Sequence, residues 1–223
     1  MKILCVSDEI DALVYNHNIR GRYADIDLII SAGDLPMEYL EFIVSSLNKP
    51  LLFVFGNHNL NEFPYYHGTS SHQLMYINKR ENLDFGFGST YIGFKIKRES
   101  ELIIMGVSGS MRYNNGLCQY TEAQMFRKIL RLIPRLFINK IRYGRYLDIL
   151  VTHAPPLGIH DKEDLCHKGF KCFLWFMRKF KPRFLLHGHI HLYDLQEKRV
   201  TKYHETTVIN VYSQYILDTE EES

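Results

Sequence analysis

Phe184-Leu185-Leu186-His187-Gly188-His189-Ile190-His191 sets an apolar run, one glycine and three imidazoles side by side. The run from Arg183 to Leu186 is short and does not alternate with polar residues, as expected of a strand covered on both faces of a sheet. Gly188 lets the backbone turn tightly at the point where the histidines arrive. The same grammar recurs upstream. Ile3-Leu4-Cys5-Val6-Ser7 leads to Asp8, and Leu28-Ile29-Ile30-Ser31-Ala32-Gly33 leads to Asp34. Leu51-Leu52-Phe53-Val54-Phe55-Gly56 leads to Asn57-His58, and Ile149-Leu150-Val151-Thr152 leads to His153. Each strand delivers Asp, Asn or His to its carboxyl end, where open α/β sheets place their ligand crevice.

Working outward, strands are expected over Lys2–Ser7, Asp27–Ala32, Leu51–Phe55, Leu102–Val107, Asp148–Thr152 and Arg183–Leu186. Helical spacing of apolar residues marks Glu38–Leu47, Thr121–Ile141 and Phe170–Phe180, with Pro134 implying a kink or two helices in the second. Residues 73–106 carry Gly86, Gly88 and Gly93 among aromatic and β-branched residues and read as antiparallel strands. Thr206–Leu217 is β-prone again, before an acidic, frayed Thr219–Ser223. No repeat, linker or boundary breaks the chain, so residues 1–223 are expected to form a single α/β domain.

The composition excludes several classes. The 223 residues include 46% hydrophobic and 23% charged, values that do not suit long-range disorder. The formal net charge of +2 does not advertise nucleic acid as a partner. Cys5, Cys118, Cys166 and Cys172 lack a CxxC spacing and read as reduced thiols in a cytoplasmic protein. No apolar run approaches a transmembrane segment, and Ser7-Asp8 comes too early for a signal peptide. Histidine is the excess: six of the eleven fall between His153 and His191.

Asp, Asn and His are oxygen and nitrogen donors suited to Mn, Fe, Zn or Ni. One carboxylate can bridge two cations, and such a pair clamps an in-line displacement at phosphorus. The order Asp, Gly-Asp, Gly-Asn-His, His, Gly-His-x-His resembles the calcineurin-like metallophosphoesterases from Asp8 to His191. That resemblance implies a metallophosphoesterase-type four-layer α/β/β/α sandwich of two mixed β-sheets. It implies two divalent metal ions and hydrolysis of phosphate mono- or diesters by a metal-bound hydroxide. Carried over, Asp34 bridges the ions, Asp8 and His191 complete one site, and Asn57, His153 and His189 complete the other. His58 meets the substrate phosphate and protonates the leaving oxygen.

The chain departs from the family at two places. Ile10 stands where the first motif usually has a liganding His, leaving Glu9, Asp11, a more distant group or water to complete the Asp8 site. Asn59 follows His58 where an acidic residue is more common. Ser7-Asp8-Glu9-Ile10-Asp11, Gly109–Tyr113, Gln119–Glu122 and His153-Ala154-Pro155-Pro156 with Gly158–Asp161 resemble an uncharacterised bacterial branch, which shares the Asp-Glu-x-Asp opening. Arg112 is a candidate phosphate-binding residue. His160 and Asp161 are read as structural hydrogen-bonding groups. The basic 127–145 segment is read as a helix packed on the sheet with a solvated cationic face. The rival readings are a binding scaffold that retains the fold and a nuclease acting through that segment.

Overall fold

The computed structural model describes residues 1–67, 88–194 and 197–220. The first sheet holds β1 (Lys2–Ser7), β2 (Leu28–Ser31), β3 (Leu51–Phe53), β4 (Ser89–Tyr91) and β13 (Ser213–Asp218), in the order β13-β1-β2-β3-β4. Among the described residues, only β13 runs antiparallel to its neighbour in this sheet. The second sheet holds β5 (Lys95–Glu99), β6 (Leu102–Val107), β9 (Ile149–Thr152), β10 (Phe184–His187), β11 (Val200–Tyr203) and β12 (Thr206–Asn210). Its order is β11-β12-β10-β9-β6-β5, a parallel centre closed by antiparallel edges. A ribbon of β7 (Ser110–Met111) and β8 (Gln119–Tyr120) stands beside them.

The unalternating strands have a simple cause. Successive side chains of a strand face opposite ways, so a strand covered on both sides must be apolar throughout. Ile3, Cys5, Leu28, Ile30 and Leu52 pack between the sheets against Ile104, Ile149, Val151, Phe184 and Leu186. Leu4, Val6, Ile29 and Phe53 face outward, beneath α1 (Ile19–Arg22), α2 (Met37–Leu47) and α3 (Phe63–His67). Met105, Leu150 and Leu185 face outward on the other side. There they meet α4 (Glu122–Leu130), α5 (Ile133–Tyr143) and α6 (Lys171–Phe180). The result is a four-layer α/β/β/α sandwich of two mixed sheets. No helix among the described residues is long and apolar enough to cross a membrane.

Local chemistry sets the element ends. Thr121 caps α4 through a reciprocal box with Gln124. Pro134 occupies the first turn of α5, which it can do without losing a helical hydrogen bond. The long basic pattern is therefore two helices, not a single kinked one. Residues 73–87 of the expected antiparallel region lie outside the described residues. Beyond them, β5 pairs antiparallel with β6, whereas β4 joins β3 in parallel. One expectation is corrected: Thr219 is not frayed. It is buried, its N–H donates to Met1 O, and its carbonyl accepts from Arg183.

Candidate metal centre

The carboxyl ends of β1, β2 and β3 meet those of β9 and β10 at one rim of the sandwich. Asp8 and Asp34 follow their strands in left-handed backbone conformations, with φ of 66° and 57°, as does His189 at 68°. These turns swing the side chains into the gap between the sheets. The backbone there must pass very close to its neighbours. A Cβ at Gly56 would stand 2.0 Å from Asp34 Oδ1, and one at Gly188 would stand 2.3 Å from Asp8 Oδ2. Glycine alone fits at both places.

Asp34, His153 and His189 each present a ligand atom, all within 4.8 Å of one another. His153 is fully buried. Its Nδ1–H donates to Ala32 O at 2.8 Å, which turns Nε2 toward Asp34 Oδ2 and Asn57 Oδ1, both at 3.2 Å. His189 Nε2–H donates to Cys166 O at 2.8 Å, which leaves Nδ1 as its lone-pair donor. Asp34 Oδ1 accepts from the His58 N–H at 2.7 Å, and its own carbonyl is held by Asn59. Asn57 Nδ2 reaches Tyr113 Oη at 3.3 Å.

Asp8 forms the other side of the group. Its carboxylate accepts from the His189 N–H and from Ser7 Oγ. His191 Nε2 stands 4.0 Å from Asp8 Oδ1, and its ring stacks on Tyr212. Behind the loop, Thr201 donates to His160, His160 to His187, and His187 to Gly188 O, a chain that holds both imidazoles neutral and the turn in place. Burial lowers His187 to about 3 and His160 to about 4.

The electrostatics fit a cation. Burial raises the Asp8 carboxyl, His153 opposes this, and the negative Asp34 nearby raises it further. Burial pushes Asp34 upward as well, but charge and hydrogen bonding from His153, with the His58 N–H, hold it at about 2. His153 is pulled downward by burial, yet Asp34 carries it up to about 9. A proton on His153 Nε2 thus lies between Asp34 Oδ2 and Asn57 Oδ1, where a divalent ion could replace it. Burying unbalanced carboxylates costs several kcal/mol per ion, and this donor set of oxygen and imidazole nitrogen offsets that cost once a metal is bound.

Other candidates lie elsewhere. The His58 ring is exposed at the mouth. Glu9 accepts from Tyr212 Oη. Asp11 accepts from the Leu13 N–H and from Ser213 Oγ. Among the described residues neither carboxylate joins Asp8 in a cluster of three ligand atoms, and Ile10 is 46% exposed. The Arg112 guanidinium donates to Gln119 O and Gln124 Oε1. The loop bearing Asp164, Cys166 and His167 also brings three possible ligand atoms together, and its Cys166 carbonyl orients His189. The role of the Cys166 carbonyl is invisible in the sequence because a backbone carbonyl carries no side-chain signature.

The fold is shared with solved structures. TT1561 of Thermus thermophilus superposes with a TM-score of 0.66 at 12% identity, covering 100% of this chain and 96% of that one. Phosphopantetheinyl hydrolase from Mycobacterium tuberculosis superposes with a TM-score of 0.54 at 15% identity, covering 96% and 89%. No curated protein matches the chain by sequence. The family description calcineurin-like phosphoesterase matches residues 1–193, a span that includes every strand-end donor from Asp8 to His191. The chain therefore belongs to the calcineurin-like phosphoesterase family and is a phosphoesterase enzyme.

Proposed function

We propose that this protein, as one domain over residues 1–223, hydrolyses phosphate mono- or diesters at a dinuclear metal centre. The observation that carries the reading is the convergence of Asp34, His153 and His189 within coordination reach, with Asp8 and Asn57 hydrogen-bonded into the same group. Asp34 would face both ions, with Asp8 and His191 on one side and Asn57, His153 and His189 on the other. When bound, the ions neutralise phosphoryl oxygens and acidify a water molecule. Asp34 and Asp8 balance the cationic charge. Ala32 O and Cys166 O fix which imidazole nitrogens remain free. His58, beside Asp34 yet exposed, delivers a proton to the departing oxygen.

The test is hydrolysis of mono- and bis-aryl phosphates by protein stripped with chelator and resupplied with Mn²⁺, Fe²⁺, Zn²⁺ or Ni²⁺. Activity should vanish on stripping and return with metal. Undiminished turnover in chelator would contradict the reading.

The missing first-motif imidazole has a consequence of its own. Glu9 and Asp11 are engaged by Tyr212, Leu13 and Ser213, so the Asp8–His191 ion has fewer protein donors than its neighbour. It should be the first lost as chelator is raised, and Ile10→His should tighten it by roughly 10-fold or more, the scale of one ligand-supporting contact. Simultaneous loss of both ions, with Ile10→His neutral, would show that the site is already complete.

A further inference from the structure

Four cations line a cavity of about 270 Å³ beside the β7–β8 ribbon: Arg112, Arg127, Lys128 and Arg131. Among the described residues, no carboxylate lies within ion-pair distance of any of them. Lys128 is the most constrained. Its ammonium stands 4.4 Å from the Phe94 ring centre and 4.8 Å from that of Tyr120. Burial lowers its pKa, and Arg131 adds to that effect by repulsion. Unpaired cations crowded together raise one another's energy, and an anion placed among them relieves this.

The cluster is joined to the metal centre through the chain. Arg112 is followed directly by Tyr113, whose phenol contacts Asn57. The buried Cys118 thiol lies under the influence of both Asp34 and Lys128. The site also has a limited extent. Of the remaining cations of the basic segment, Lys140 bonds Gly144 O, Arg145 pairs with Asp148, and Arg142 lies against Tyr143, while Arg135 is exposed and has no ion-pair partner among the described residues. Among the described residues of the segment, Arg135 is therefore the one free cation outside the cavity, too short a track for an extended strand. The Phe94 and Tyr120 rings, the aromatic faces nearest the cavity, already hold Lys128 rather than standing open to a base. The arrangement suits a compact polyanion better than a long nucleic-acid strand.

We propose that Arg112, Arg127, Lys128 and Arg131 form a second anion subsite, so that the substrate is a phosphoester bearing a further phosphate or pyrophosphate group. This rests on the phosphoesterase reading of the metal centre, and the test separates the two. First, the full-length, chelator-stripped protein is titrated with inorganic tripolyphosphate by calorimetry, where bound metal cannot contribute. One site is expected, weakened at least about 10-fold in Arg127→Gln/Lys128→Gln/Arg131→Gln, since each charged contact is worth roughly a factor of several. Arg127→Gln/Arg131→Gln, which leaves the Lys128 packing intact, should show an intermediate loss.

Second, thymidine 5′-(p-nitrophenyl phosphate) is compared with its 3′-phosphorylated form in Mn²⁺. The extra phosphate should raise kcat/KM by about 10- to 100-fold, and that ratio should fall toward 1 in the variants. Equal binding by wild type and variants, or hydrolysis of both esters at equal kcat/KM, would overturn the subsite. Tighter binding of single-stranded DNA than of tripolyphosphate would overturn it in favour of a nucleic-acid surface. Binding of tripolyphosphate with neither ester hydrolysed, and with p-nitrophenyl phosphate and its bis-aryl diester also untouched in Mn²⁺, would instead overturn the phosphoesterase reading, and with it the assignment of this anion site to substrate.

Discussion

Asp34→Ala should leave the protein without a dinuclear centre and reduce aryl phosphate hydrolysis to background. Asp34 is 8% exposed, and its two carboxylate oxygens face different neighbours. Oδ2 stands 3.2 Å from His153 Nε2, and Oδ1 holds the His58 N–H at 2.7 Å. In the proposed centre, removing the carboxylate would deprive both ions of a shared donor, and it leaves His153 buried without its counter-charge. Breaking a buried pair in this way costs about 3–5 kcal/mol, so a folding defect could mimic loss of function. Asp34→Asn separates the two. Its amide oxygen can still accept from the His58 N–H, so the fold should persist while metal affinity falls. Metal content measured beside turnover decides it. Two ions per chain and wild-type activity in Asp34→Ala would remove the basis for a bridging role.

His58→Ala should behave differently. Its ring is exposed and stands outside the cluster of buried donors, while its backbone supports Asp34. Alanine preserves that N–H. Both ions should therefore stay bound while turnover falls by roughly 10²–10⁴-fold, the usual contribution of a positioned acid. The deficit should shrink for esters whose leaving group departs without protonation, such as p-nitrophenolate, and widen for alkyl alcohols. A variant that loses metal together with activity would show His58 to be a ligand instead.

Much of the fold is legible in the amino-acid sequence, for a physical reason. Lys2–Ser7 and Leu102–Val107 are strands over their whole expected length because both faces are covered, one by the other sheet and one by helices, and nothing polar interrupts them. Pro134 marks the break between α4 and α5 because its ring forbids an interior helical position. Strand-end residues signal the candidate site in the same manner, since a sheet's carboxyl edge collects whatever follows its strands.

What the sequence hides is whatever depends on long-range partners. Glu9 and Asp11 sit close enough along the chain to approach Asp8, but Tyr212 and Ser213, from the far end of the chain, take them. Ala32 O and Cys166 O orient the two buried imidazoles, and a carbonyl looks alike at every position in a sequence. The basic segment reads as a uniform cationic face. In the fold, Lys140, Arg142 and Arg145 are engaged locally, whereas Arg127, Lys128 and Arg131 are gathered around one cavity.

If the strand ends of the two sheets together hold two ions around Asp34, anomalous diffraction from Mn²⁺-loaded crystals will show them most directly. Two peaks are expected about 3.5–4 Å apart, with Asp34 between them, Asp8 and His191 at one, and Asn57, His153 and His189 at the other. A map with no peak at Asp34, or with its only peak at Asp164, Cys166 and His167, would contradict the dinuclear centre.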